Sequence, residues 1–206
     1  MYRAMNVCYA GNVQDMMKLM AATISSTATS LSNESVGQFI DELVGAERIY
    51  VMGAGRSGLV AKGFAMRLMH LGMHSYVVGE TITPAMKKGD TIVAYSGSGE
   101  TKSIAELCET AKSIGGRLCL VTSNADSRIG RIADCVMVIE SHRDDVKDES
   151  AEYEVRQMRG EHRSFAPLGT IFETSAMVFS DAIISSIMEI TQCEEKDLKG
   201  RHANIE

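Results

Sequence analysis

Three short stretches concentrate the side chains that could do chemistry. In "AYSGSGETKS", residues 94–103, an apolar run ending at Tyr95 passes directly into Ser96-Gly97-Ser98-Gly99-Glu100-Thr101. Three hydroxyls and two glycines share one turn. Glycine removes the Cβ restriction and lets backbone N–H groups converge, and the hydroxyls add short donors. In "GAGRSG", residues 53–58, Ser57 follows Arg56 between glycines. Both stretches leave an apolar strand and open a helix, and amides at a helix N-terminus suit an anion. The third stretch is "PLGTIFE", residues 167–173, where Glu173 falls in the first turn of a long apolar helix. A partly buried carboxylate is a proton acceptor suited to neutral pH.

The surrounding pattern says what must position these residues. Residues 13–31 carry Met16, Met17, Leu19, Met20 and Ile24 at helical spacing. Residues 33–44 repeat the pattern, with Asn33 as the expected N-cap and Val36, Phe39, Ile40, Leu43 and Val44 as the apolar face. Then short apolar runs alternate with helical segments. Strands are expected at 48–54, 74–79, 90–96, 117–123 and 135–140. Helices are expected at 57–71, 100–114 and 170–191, with a short helical stretch at 127–133. Continuous apolar strands separated by helices predict a parallel sheet covered on both faces. Five such units fit an α/β, flavodoxin-like doubly wound sheet of order 2-1-3-4-5. The loops after the first and third strands then flank the topological switch point. Those loops are the two glycine-rich stretches. Residues 1–45 read as an N-terminal helical arm that packs on the domain or on a neighbouring subunit, and 46–206 as the domain itself. The methionine-rich stripe is a packing face through which subunits could pair.

Composition narrows the function classes. The chain has 206 residues, 45% apolar and 23% charged, with a net charge of −6. That charge leaves no footprint for nucleic acid or an anionic membrane, so an anion site must be local. Five cysteines (Cys8, Cys108, Cys119, Cys135 and Cys193) form no C-x-x-C pair. They read as reduced thiols, three of them in apolar patterns, and not as metal ligands. No apolar run of spanning length and no signal peptide is expected, which points to the cytoplasm. Residues 141–164 are densely charged and read either as a solvated loop or as an excursion over the crevice or onto another subunit.

"GAGRSG" satisfies G-x-G-x-x-G, and Glu80 ends the second strand near the spacing of a ribose-binding acid. A dinucleotide site, however, has no use for Ser96, Ser98 and Thr101 at the next switch-point turn. Nor does it want Arg56-Ser57 in the pyrophosphate loop. A phosphate monoester carries more charge on one group and calls for more donors converging on one point. The plainer alternative makes these hydroxyls ordinary N-caps. Two such loops bordering the switch point favour a phosphate.

Other candidates keep two readings. Thr170-Ile171-Phe172-Glu173 is a T-x-x-E capping box, in which Glu173 would bond back to the Thr170 N–H instead of serving as a base. Glu80 could line the crevice or cap the turn before Pro84. His70 reads as a packed histidine at a helix C-terminus. His142 and His162 read as solvated, and His202 lies in a tail that would ordinarily fray.

In order along the chain, "GAGRSG", "FAMRLMHLG", "SYVVGETITP", "SGSGET", "PLGTIFE" and "RHANIE" resemble the 6-phospho-3-hexuloisomerases of the sugar isomerase (SIS) domain family. The resemblance runs from about residue 48 to the end. It implies a five-stranded parallel sheet, a homotetramer and no cofactor or metal. It also implies interconversion of D-arabino-hex-3-ulose 6-phosphate and D-fructose 6-phosphate through a cis-enediol, in the ribulose monophosphate route or its reverse. Ser57, Ser96, Gly97, Ser98, Gly99, Glu100 and Thr101 take the substrate-binding positions. Glu173 takes that of the base, and His202 becomes a motif residue able to relay oxygen protons, in a tail that can reach a neighbour's crevice. The alternatives are a non-catalytic sugar-phosphate sensor of the same domain type and an isomerase of another aldose or ketose phosphate.

Overall fold

The computed structural model describes residues 9–140 and 169–204. The charged segment 141–164, with His142 and His162, lies outside the described residues, as does Cys8. The elements are α1 (Tyr9–Ser30), α2 (Asn33–Val44), β1 (Ile49–Gly53), α3 (Gly55–His70), β2 (Ser75–Val77), β3 (Thr91–Tyr95), α4 (Lys102–Ile114), β4 (Arg117–Thr122), a 3₁₀ turn (Gly130–Ile132), β5 (Cys135–Val138), α5 (Thr170–Thr191) and α6 (Glu195–Arg201).

All five strands are parallel, in the order β2-β1-β3-β4-β5. Alternate strand residues point to opposite faces, and both faces are covered. On one face Val51, Val93, Tyr95 and Val121 pack beneath α2, α3 and α5 through Phe39, Leu43, Phe64, Leu68, Phe172, Phe179 and Ile183. On the other, Tyr50, Met52, Ile92, Leu118 and Leu120 pack against Ile104, Ala105 and Cys108 of α4 and against Ile129. This sandwich explains the near-continuous apolar strands of the sequence.

The N-terminal edge of the sheet is tied by ion pairs. Arg48, just before β1, donates through Nε and Nη2 to the buried Asp90 carboxylate at 3.1 and 2.6 Å. Arg117 binds Glu42 and Asp134. The opposite edge, where the chain leaves β1 and β3, carries the glycine loops.

Several expectations shift in detail. Ser32, not Asn33, caps α2, accepting the Ser35 N–H at 3.1 Å. A serine one residue earlier makes the same capping bond, so the helix starts at Asn33. α5 has the length and composition of a membrane-crossing segment, contrary to the expectation of no such run. Its buried face instead lies in the core of this domain. α6 has no counterpart among the expected elements. It starts with a reciprocal cap between Glu194 and Asp197. Cys108, Cys119 and Cys135 are buried, as their apolar surroundings predict. Burial pushes the Cys108 thiol up to about 12, which leaves it a protonated core residue.

Candidate active site

β1 and β3 are neighbours, with Gly53 level with Tyr95. The loops that follow them therefore leave the same edge of the sheet side by side. In the first loop the glycines permit close packing. A Cβ on Gly53 would lie 2.8 Å from the Ser57 backbone, and one on Gly58 would lie 2.6 Å from the Gly53 carbonyl oxygen. This contact presses the first turn of α3 onto the end of β1 and sets Ser57 at the rim. Ala54 occupies the N-cap position and has no capping side chain, so the first-turn amides of α3 are open to an anion.

The second loop is braced from within. The buried Ser96 hydroxyl accepts the Gly99 N–H at 3.1 Å and lies 3.3 Å from the Thr101 hydroxyl. The Ser98 hydroxyl accepts the Glu100 N–H at 3.1 Å, which leaves its own proton to donate outward. Gly99 has φ of +66°, and a Cβ there would overlap the Ser127 hydroxyl, so glycine is required. The Gly97 carbonyl accepts from the Ser123 N–H at 3.1 Å and from the Ser123 hydroxyl at 2.6 Å. Glu100 is exposed, and its carboxylate accepts the Arg128 N–H at 2.7 Å. It braces the loop against the segment after β4. Thr101 is the N-cap residue of α4, yet its side chain makes no capping bond. The ordinary-cap reading of these hydroxyls therefore fails at both loops.

Glu173 joins them from α5. Gly169, with φ of +79°, is the N-cap residue of that helix, and Thr170 is already helical. The capping-box alternative does not form. The Glu173 backbone N–H donates to the Gly169 carbonyl at 3.0 Å, and its carboxylate turns elsewhere. Glu173 is only 6% exposed. Its Oε2 accepts the Nε–H of Arg56 at 2.6 Å. A Cβ on Gly169 would lie 2.7 Å from Oε1, so the glycine also makes room for the carboxylate. The contact with Arg56 spans 117 residues of sequence, which is why local spacing could not reveal it. Sequence reasoning used Arg56 only to argue against a pyrophosphate loop. That misfit was the available signal.

Two further ties hold α5 over the loops. Phe172 packs its ring on Gly97. Tyr95, fully buried at the end of β3, shares a 2.7 Å hydrogen bond with Ser180. Burial pushes the Tyr95 phenol well above its ordinary value, so it stays a neutral hydrogen-bonding partner.

The remaining candidates lie apart. Glu80 is exposed and pairs with Lys62 at 2.6 Å, while its carbonyl accepts the Thr83 N–H in the turn before Pro84. His70 is buried at the C-terminal end of α3, as expected. His202 stacks on it with ring centroids 4.8 Å apart. Arg201 donates to the His70 carbonyl at 3.0 Å. The tail is thus docked through residue 202, at the end of α3 remote from Ser57. At about 1.5 Å per residue the helix is roughly 24 Å long. His202 does not meet Glu173 within one chain.

Comparison with known proteins identifies the family. The SIS domain family model matches residues 42–153. A Bacillus subtilis protein named 3-hexulose-6-phosphate isomerase is 37% identical, over 89% of this chain and 93% of its own. A Mycobacterium gastri protein of the same name is 34% identical, over 95% and 92%. The crystal structure of a hypothetical protein from Methanococcus jannaschii, for which a molecular function of 3-hexulose-6-phosphate isomerase was inferred, superposes with a TM-score of 0.79. It is 29% identical, covering 93% of this chain and 99% of that one.

Proposed function

The chain belongs to the SIS domain family, and from that premise we propose that it is a 3-hexulose-6-phosphate isomerase with Glu173 as its base. It interconverts D-arabino-hex-3-ulose 6-phosphate and D-fructose 6-phosphate. The observation that carries the reading is the buried Glu173 carboxylate at the same sheet edge as two open, hydroxyl-bearing glycine loops.

The phosphate is a handle. The Ser57 and Ser98 hydroxyls, the Thr101 hydroxyl and the first-turn amides of α3 offer donors to its oxygens. Its binding energy positions the reacting carbons and is not itself consumed in the chemistry. From fructose 6-phosphate, Glu173 takes the proton on C3. The C3–H electron pair becomes the C2–C3 double bond, and the C2 carbonyl electrons move onto O2. The enediol then forms with a proton delivered to O2. Loss of the O3 proton and return of a proton to C2 leave the carbonyl at C3. One carboxylate suffices for the two carbon transfers if it stays on one face of the enediol.

The oxygen protons need a second group, and His202 is our candidate. Because it docks at the far end of α3, it would act in the crevice of a neighbouring copy, within the homotetramer that the family resemblance implies. The same reading places the enzyme in the cytoplasm. The division into an arm at 1–45 and a catalytic domain at 46–206 belongs with it, although α2 contributes Phe39 and Leu43 to the common core.

A non-catalytic sugar-phosphate sensor would need the loops but no carboxylate beside them, and Glu173 at the crevice favours the enzyme. Incubation with fructose 6-phosphate followed by carbon-13 NMR tests the proposal. The resonance of a C3 ketone should appear and reach a constant proportion. A spectrum that stays that of fructose 6-phosphate, with the protein folded, would reject it. An aldose product would reassign the substrate.

A further inference from the structure

Among the described residues, Arg56 is the one charged side chain that links the first phosphate loop to the base. It lies in the first turn of α3, next to Ser57, and its Nε–H is committed to Glu173 Oε2 at 2.6 Å. The two partners differ sharply in exposure. The carboxylate side chain is 8% exposed, whereas the guanidinium side chain is 54% exposed. Among the described residues the Arg56 guanidinium makes no other hydrogen bond. A guanidinium has five N–H donors in a rigid fork, and one of them is used here. The remaining donors lie on a group that is anchored at Glu173 and half exposed.

An ion pair placed only for stability would be poorly built this way. A half-exposed arginine gains little from such a pair, and the buried carboxylate loses water. The arrangement makes better sense in catalysis. When Glu173 removes the carbon proton, negative charge appears on the adjacent oxygen, within reach of whatever flanks the base. A fixed cation beside the base is well placed for that charge. It needs little reorganisation at the moment of reaction, which is the condition for efficient electrostatic stabilisation.

We propose that Arg56 is a catalytic residue of this isomerase, holding Glu173 through Nε and presenting its Nη donors to the O2/O3 edge of the enediolate. The proposal rests on the reading of Glu173 as the base. Arg56 keeps its protons throughout. The C3 proton goes to Glu173, the electron pair goes through the C2–C3 bond onto O2, and the guanidinium balances that charge by hydrogen bonding. Gly169 completes the arrangement from the other side, where its lack of a Cβ leaves space for Oε1. The carboxylate is thus confined between a glycine and a guanidinium, with one oxygen held by the cation.

The test compares Arg56→Ala and Arg56→Lys with the wild type, all checked for folding by thermal melt. Three readouts are taken: turnover of fructose 6-phosphate, inhibition by inorganic phosphate, and inhibition by a phosphorylated sugar hydroxamate that mimics the planar enediolate. Arg56→Ala should lower kcat by about 10²–10³-fold, the usual cost of losing an oxyanion donor. Its affinity for the hydroxamate should fall in step, and its affinity for inorganic phosphate should stay within about threefold, since the Ser57, Ser98 and Thr101 hydroxyls and the first-turn amides of α3 all remain. Millimolar guanidinium should restore part of the activity of Arg56→Ala. Arg56→Lys should retain more activity than Arg56→Ala and still bind the hydroxamate less well than the wild type, because an ammonium lacks the fork. Wild-type kcat in either variant, or parallel losses for hydroxamate and phosphate, would overturn the proposal. Failure of the wild type to turn over fructose 6-phosphate would instead reject the underlying reading. If Arg56→Ala does not fold, the same comparison is decided on Arg56→Lys.

Discussion

The ring of Phe172 lies against Gly97, where a Cβ would sit 3.2 Å from the ring. These residues belong to α5 and to the loop after β3, and they flank Glu173 and Ser98 respectively. The contact therefore sets the spacing between Glu173 and the loop after β3. Gly97 has an ordinary φ, so alanine is not forbidden by the backbone. Gly97→Ala should displace the ring or the loop by a few tenths of an ångström. We expect a small fall in Tm and a fall in kcat/KM of about tenfold or more, because displacements near 1 Å cost up to about 10²-fold. Steady-state kinetics beside a thermal melt would check this. Equal kcat/KM would show that the contact does not set the geometry.

Ser98 offers a simpler measurement. Its oxygen accepts the Glu100 N–H, so its proton is available to the phosphate. Ser98→Ala should raise KM for fructose 6-phosphate by about 10–100-fold, from roughly 1.5–3 kcal/mol for a hydrogen bond to a charged group. kcat should change much less. An unchanged KM would remove Ser98 from the phosphate site.

His202 can be assigned to its own or a neighbouring site by mixing. His202→Phe keeps a ring to stack on His70 and removes the proposed proton relay. It should lower kcat by about 10²-fold without changing oligomer mass. Mixed with Glu173→Gln, it should regain activity, since some sites then pair an intact Glu173 of one copy with an intact His202 of another. This point variant is cleaner than deletion of the tail, which would also remove the bond from Arg201 to the His70 carbonyl. No recovery in verified hybrids would place His202 outside a shared site.

His70 gives the fold a defined pH response. Its burial, the nearby His202 and Arg67 all hold its pKa below the ordinary 6.5. The unfolded chain thus takes up a proton at a pH where the folded chain does not, so stability is lost as pH falls below about 6.5. His70→Gln should show a flatter decline of Tm between pH 7 and pH 5. A decline as steep as in the wild type would mean that other groups dominate.

Much of this architecture was legible in the sequence because it follows from local pattern. Apolar strands between helical segments predict the parallel sheet and its order, and α5 occupies the expected 170–191. The two glycine loops meet because β1 and β3 are neighbours, a consequence of that order. What stayed hidden depends on tertiary choice. Thr170 looked like an N-cap because its spacing to Glu173 suits one, but a left-handed Gly169 takes that position and frees the carboxylate. Nothing near Arg56 in sequence announces a partner 117 residues away. α6 is short and polar and is held by a reciprocal cap and by Arg201, signals too weak to stand out from a terminal tail.

The central claim, that Glu173 carries the proton between carbons, is tested most directly with Glu173→Gln and fructose 6-phosphate in deuterium oxide. Glutamine retains the shape and can still accept the Arg56 N–H through its amide oxygen, but it cannot take a proton from carbon. Proton NMR should show solvent deuterium entering C3 with the wild type. With the variant, exchange and kcat should fall together by about 10²–10⁴-fold, while inorganic phosphate still binds and the thermal melt is little changed. Exchange and turnover near wild-type rates in Glu173→Gln would contradict the assignment and move the base to another residue.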